Sequence, residues 1–355
     1  MSQKKIVLHI GQTKTGTTSI QSFFHANQRA LQKSNISYAQ RPDQSTSHRY
    51  LFHLINASIP KIYNSEFGQR HFLKLKESFI HRKETQTDEY WEFFRESLFQ
   101  DSCNISILSE ELLWELGKFE HSSKQEMINI LKTQLYQIVQ PEDITIIAAV
   151  RHHAEWLESW HNQMVKDQGN QLKIRPFLER EISHGSFRYA QNLRDWLNIF
   201  PRARFRIIDF KTSLVSEKPI GLMFLKEAQL LEALSLESML NIIYPERQQE
   251  SIHPLLHAYI VRHKPIIKNL SRYKIAIRKA NYFIEAMTKV LDLDHSYTMV
   301  TPSVYKICSE MYTKDDLSNF GLTELKCGIK KKRQVPKEIP EDMVIYLNSI
   351  FQINT

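Results

Sequence analysis

The stretch Lys5-Ile-Val-Leu-His-Ile-Gly-Gln-Thr-Lys-Thr-Gly-Thr-Thr-Ser-Ile-Gln21 decides the fold. Its first part, Lys5–Ile10, is a short β-branched run that reads as a buried strand. Gly11–Thr18 is a loop holding two of the nine glycines in a chain of 355 residues. Ordinary glycine usage is roughly 7%, so a pair this close in a glycine-poor chain marks a backbone requirement. From Ser19 to Leu31, Ile20, Phe23, Phe24 and Leu31 recur at helical spacing. Strand, glycine loop and helix open an α/β nucleotide-binding fold. The first N–H groups of such a helix lack intrahelical partners and carry the positive end of its dipole, which makes the loop an anion site. Gly16 lets the backbone approach a phosphate, Lys14 adds a charge, and Thr15, Thr17, Thr18 and Ser19 add hydroxyls.

The spacing excludes a Walker A loop, which places Lys directly after the second glycine. Here Thr17 follows Gly16, and the lysine precedes it by two residues. A P-loop kinase of a small molecule therefore lacks its central residue. Its Walker B aspartate is also missing, Asp209 in Phe205–Phe210 being the nearest candidate.

Further strands are expected at Asn104–Ser109, Ile144–Val150 and Phe205–Phe210. Helices are expected over 50–83, 89–99, 123–139, 154–166 and 187–200, and almost continuously beyond about residue 220. Residues 36–48 read as a polar exposed loop. Strands alternating with helices imply a mostly parallel sheet covered on both faces. The expected fold is α/β: a P-loop-like three-layer core with a central mostly parallel sheet flanked by helices, plus a helix-rich C-terminal third. One domain spans 1–355, with the core over 1–215 and a helical, basic part over 216–355.

Composition narrows the function. Hydrophobic residues are 42% and charged residues 24%, enough for a sizeable core. No apolar run approaches the length of a membrane span, and the run Ile6–Ile10 is too short for a signal-peptide core. Cys103, Cys308 and Cys327 form neither a disulfide framework nor a zinc pattern. A soluble, cytoplasmic protein is the expectation. The net charge of +8 is uneven: 252–284 carry +7, 326–337 carry +6, and the remainder sums to −5. No nucleic-acid motif accompanies the basic residues.

Lys14-Thr15-Gly16-Thr17-Thr18 resembles the 5′-phosphosulfate loop of sulfotransferases that use 3′-phosphoadenosine 5′-phosphosulfate (PAPS), and Ser19-Ile20-Gln21 resembles their bacterial, glycan-modifying branch. That family has a second signature, a strand ending in Arg with Ser eight residues later, both on the 3′-phosphate. Arg151 and Ser159 stand in that relation after Ile144–Val150. Unlike many members, the chain continues His152-His153 after the arginine. A late basic stretch, Lys330–Arg333, resembles the loop that closes over the 3′-phosphate, so Lys331 and Arg333 join the expected cofactor site; a solvated charge run is the other reading.

The resemblance implies sulfuryl transfer from PAPS to a hydroxyl or amine of a carbohydrate or polysaccharide. The product would be adenosine 3′,5′-bisphosphate, with no metal required. Ser109-Glu110 at the end of the second expected strand resembles the position of the family's carboxylate base. Glu110 is therefore the expected base and Lys14 the group that neutralises the departing charge. Glu110 could instead cap the turn that follows it, leaving Glu111, His48 and His53 as weaker candidates for base or acceptor binding. In 252–284, Lys264, Lys268 and Arg272 recur every four residues among apolar ones. That segment suits an anionic or lipid-linked acceptor, a peripheral membrane contact, or simply a solvated helix face. A non-enzymatic polyanion-binding protein is the remaining alternative.

Overall fold

A computed structural model describes residues 3–43, 45–59, 66–79, 86–99, 103–116, 124–168, 172–210, 220–245, 252–263, 270–290, 297–315, 317–320, 322, 327, 333–335, 339 and 341–351. The chain divides into two compact units. The first comprises Met1–Arg151, Arg188–Gln248 and Leu317–Leu325; the second comprises His152–Phe187, Gln249–Asp316 and Lys326–Thr355. This differs from the expected division at residue 215: 152–187 belong with the helical unit and 220–245 with the sheet.

The first unit is a five-stranded, all-parallel sheet in the order β2-β3-β1-β4-β5. Its strands are β1 (Lys5–His9), β2 (Ile36–Tyr38), β3 (Ile105–Ser109), β4 (Ile144–Val150) and β5 (Arg204–Asp209). Four were expected from their β-branched runs. The fifth, β2, falls inside the stretch read as a loop. It is only three residues long, but Ile36, Ser37 and Tyr38 are all buried, pairing with Ile105–Ile107 at the sheet edge. Its helices are α1 (Thr17–Ala26), α2 (Gln28–Gln32), α3 (Arg49–Ala57), α4 (Glu66–Ser78), α5 (Thr87–Ser97) and α6 (Lys124–Tyr136). The chain leaves this unit for α7 (His153–Gln168) and α8 (Ile174–Ser183), then returns for α9 (Tyr189–Ile199), α10 (Ile220–Glu227) and α11 (Leu236–Leu240).

Local sequence sets several element ends. A reciprocal Gln86/Glu89 capping box starts α5. Ile20, Phe23 and Phe24 of α1 pack with Phe224 and Leu225 of α10 against Val7, Ile147 and Ile208 of the sheet. The alternating pleat sends Val7 and His9 to that side, where His9 meets Phe224 edge-on at 5.3 Å.

The second unit contains α7, α8, α12 (Pro254–His263), α13 (Leu270–Val290), α14 (Pro302–Lys314) and α15 (Glu341–Phe351), with a parallel pair of short strands, β6 (Tyr297–Thr298) and β7 (Arg333–Gln334). Thr301 caps α14, accepting from the Val304 N–H, and Pro302 occupies its first position. Among the described residues, no helix is long and apolar enough to cross a membrane.

Candidate functional site

β1 occupies the centre of the sheet, and the strands on its two sides, β3 and β4, end beside it. The crevice outside the carboxyl ends of β1, β3 and β4 is where open α/β sheets bind ligands. Pairing continues past the strand ends: Gln12 N–H donates to the Ala149 carbonyl (3.0 Å), and Glu110 N–H to the His9 carbonyl (3.1 Å). The loop after β1 is thereby fixed to the end of β4, and the residue after β3 to the end of β1.

The loop from Gly11 to Gly16 is tightly wound. Lys14 has φ 69° and Gly16 φ 78°, both left-handed. At Lys14 that conformation costs roughly 1–2 kcal/mol, a strain found at functional sites. Gly16 precedes α1, whose start has no side-chain cap and no acidic residue in its first turn. Those first N–H groups are the ones that bind anions. The Thr15 hydroxyl, expected to face the ligand, instead donates to the Gln12 carbonyl (2.5 Å) and closes the loop. Thr17 is buried, Thr18 half-buried and Ser19 exposed.

Gly16 is required for a second reason, one that the sequence does not reveal. A Cβ there would stand 2.5 Å from Phe210 Cε2 and 2.7 Å from Ile220 Cδ1. The same Phe210 ring lies under the Arg151 guanidinium, 5.3 Å from its centroid. Arg151 Nη1 also donates to the Lys14 carbonyl at 3.4 Å. One aromatic ring thus seats both the glycine of the loop and the arginine at the end of β4. Ser159 is half-buried on α7 and belongs to the second unit, whereas Arg151 closes the first. Lys331 lies outside the described residues, as do Lys264 and Lys268; Arg333 is placed in β7, paired with Tyr297.

Glu110 follows β3 and is fully buried. Its Oε1 accepts from the Leu112 N–H (3.0 Å), capping a single 3-10 turn, while Oε2 makes no hydrogen bond among the described residues. One oxygen of the carboxyl therefore caps the turn, as the capping expectation has it. Burial, reinforced by the Glu111 charge, pushes its pKa up to about 8. Glu111, the alternative base, is engaged on both sides, with Arg49 on Oε1 (3.2 Å) and Gln21 Nε2 donating to Oε2 (2.6 Å).

The histidines take other places. His48 is fully buried; its Nδ1 accepts from the Ser109 N–H (3.1 Å), which leaves Nε2–H to donate to the Ala39 carbonyl (3.0 Å). Both nitrogens are committed to the backbone, and burial lowers its pKa to about 3, so it supports the fold rather than meeting an acceptor. His53 Nδ1 sits 2.9 Å from His71 Nδ1, and burial followed by that neighbour lowers its pKa to about 4. His53 stands one turn after Arg49 on α3, so the face that holds Glu111 continues to it.

Two buried polar residues escaped the sequence reading. His9 shares a hydrogen bond with Ser109 Oγ (2.8 Å), and its Nε2 occupies the space a Cβ on Gly11 would need. Gln12 is fully buried, and among the described residues neither its Oε1 nor its Nε2 has a hydrogen-bond partner. Gln12 lies in the loop just past β1, two residues after the buried Ile10, and a carboxamide directly following the apolar run was the available signal.

Neither a protein-family model nor a curated protein matches the chain. Among solved structures, the fold is similar to the crystal structure of a sulfotransferase from Alicyclobacillus acidocaldarius, with a TM-score of 0.39 and 13% identity over 83% of this chain and 98% of that one.

Proposed function

We propose that the protein is a sulfotransferase that moves the sulfuryl group of PAPS to a hydroxyl of a carbohydrate. The observation that carries this reading is the convergence of three strand ends. An uncapped helix N-terminus with Lys14 and Gly16 follows β1, Arg151 follows β4 and reaches the Lys14 carbonyl, and a buried carboxyl, one of whose oxygens makes no hydrogen bond among the described residues, follows β3. The residues present fit an anionic nucleotide: the first turn of α1 carries no acid, and the adjacent Gln12 carboxamide is buried without a hydrogen-bond partner among the described residues.

When bound, PAPS supplies an activated sulfuryl group on a phosphate leaving group. The N–H groups at Thr17–Ser19 and the Lys14 ammonium would hold the 5′-phosphosulfate and neutralise charge there. Arg151 offers forked donors for the 3′-phosphate.

Glu110 would act as general base. Its Leu112 bond fixes the carboxyl, and Oε2 is the atom that accepts the acceptor's hydroxyl proton. A carboxylate whose pKa is raised toward the working pH holds a proton strongly enough to take one from an alcohol. Glu111, held by Arg49 and Gln21, orients the turn that presents Glu110.

The direct test is incubation with PAPS and a panel of glycans, followed by assay for adenosine 3′,5′-bisphosphate and a sulfated product. Absence of bisphosphate binding by the intact protein would overturn the assignment, and ATP·Mg binding in its place would favour a kinase.

A further inference from the structure

The second unit presents a charged and apolar surface that the proposed reaction does not use. Helix α13 spans 21 residues. Its inner side, Tyr273, Ala276, Ile277, Ala280 and Ile284, is buried with Met343, Leu347 and Phe351 of α15. The Tyr273 hydroxyl donates to the Val165 carbonyl of α7 (2.7 Å). The helix is therefore fastened down, and its outer face is fixed.

That outer face exposes Arg272, Lys274, Arg278 and Lys279. No Asp or Glu occurs from 270 to 284; the next acid, Glu285, accepts from Asn281 Nδ2. Among the described residues, no carboxylate pairs with Lys274, Arg278 or Lys279. Set among these cations are Ile275 and Tyr282, seven residues apart on one side of the helix and 54% and 68% exposed. Phe283 stacks on Tyr346 of α15 at 3.8 Å, and beside it Ile345 and Tyr346 are 58% and 46% exposed. Cations on a rigid face thus border a strip of aliphatic and tyrosine side chains.

Three occupants can be weighed against this surface. A soluble polyanion would use the cations but gain nothing from Ile275 and Ile345. A second copy docking through the same face would bring like charges together. An anionic bilayer uses both groups, since lysine and arginine meet its headgroups while isoleucine and tyrosine enter the headgroup–acyl boundary.

We propose that the outer face of α13, with the adjoining edge of α15, is a peripheral docking surface for an anionic phospholipid bilayer.

The test is sedimentation of the full chain with phosphatidylcholine vesicles that contain or lack phosphatidylserine. Binding is expected only with phosphatidylserine, and it should weaken as salt screens the charges. Each cation near such a surface contributes about fivefold to partitioning. Arg278→Ala with Lys279→Ala should therefore lower binding by about 25-fold, while Arg278→Lys with Lys279→Arg should retain it. Ile275→Ser with Tyr282→Ser should lower binding to vesicles and leave binding of dextran sulfate unchanged. No phosphatidylserine-dependent binding would overturn the proposal. So would vesicle binding indifferent to the Ile275/Tyr282 pair, which would make the face a polyanion site. The thermal midpoint of each variant, expected to be that of the parent, shows that loss of binding is not loss of fold.

Discussion

Phe210 fills the space that a Cβ on Gly16 would occupy, with its Cε2 2.5 Å from that position, and the same ring lies beneath the Arg151 guanidinium. The loop glycine and the β4 arginine are thus set by one side chain from the end of β5. Gly16→Ala should be costly on two counts: φ 78° is strained for alanine, and the methyl meets the ring. A loss of about 2 kcal/mol or more in unfolding free energy is expected. Phe210→Ala should relieve the clash but not the strain, so the double variant should recover part of the loss in a denaturant titration. If the two losses simply add, Phe210 is not what excludes the side chain.

Lys14 and Arg151 give a binding prediction. Charge-assisted hydrogen bonds to an anion are worth about 1.5–3 kcal/mol, so Lys14→Ala and Arg151→Ala should each weaken adenosine 3′,5′-bisphosphate binding by roughly 10- to 100-fold. Arg151→Lys should recover little, because an ammonium reproduces neither the fork nor the stacking on Phe210. Calorimetric titration at fixed ionic strength measures both; unchanged affinity in either alanine variant would remove that residue from the site.

These same residues show what the sequence could and could not reveal. β4 was legible because Ile144–Val150 is a central strand, covered on both faces and hence continuously apolar or β-branched, and β3 because Ile105, Ile107 and Leu108 give Ile105–Ser109 a mostly apolar run. β2 was not, because an edge strand of three residues followed by polar ones carries too little pattern. Positions of the loop residues followed from strand–loop–helix order, but their partners did not. The turn of the Thr15 hydroxyl into the loop, the placement of Phe210 against Gly16 and the use of one Glu110 oxygen as a cap are tertiary facts. His9, polar inside an apolar strand, was visible as an anomaly of pattern, though its partner Ser109 was not.

Glu110 links activity to pH. With its pKa raised to about 8, the base form grows as pH rises through 8, so kcat/KM for sulfuryl transfer should climb over that range and flatten above it. Glu110→Gln keeps the shape, and its carboxamide oxygen can still cap Leu112, but it cannot take a proton. Turnover should fall by about 100-fold or more while bisphosphate affinity is kept. A Glu110→Gln enzyme with parental turnover would move the base elsewhere.

The buried ionisable groups also shape stability against pH, with opposite signs. Glu110 titrates at about 8 in the folded chain against 4.5 as a free side chain, so the folded state holds the extra proton between these values. Its contribution is full below 4.5 and is lost as pH rises through 8, with a slope of about 1.4 kcal/mol per pH unit. His9, His48 and His153 are buried with pKa values lowered to about 3, against 6.5 when free, and burial is the leading cause in each. For these the unfolded chain binds the extra proton, so their contribution is full above 6.5 and is lost as pH falls toward 3. Three such groups outweigh one carboxyl, so stability should peak near pH 6.5 and decline more steeply on the acid side. The urea midpoint measured from pH 4.5 to 9 checks this. Glu110→Gln should remove the alkaline decline and leave the acid limb in place; an alkaline limb unchanged by that substitution would show that Glu110 is not its source.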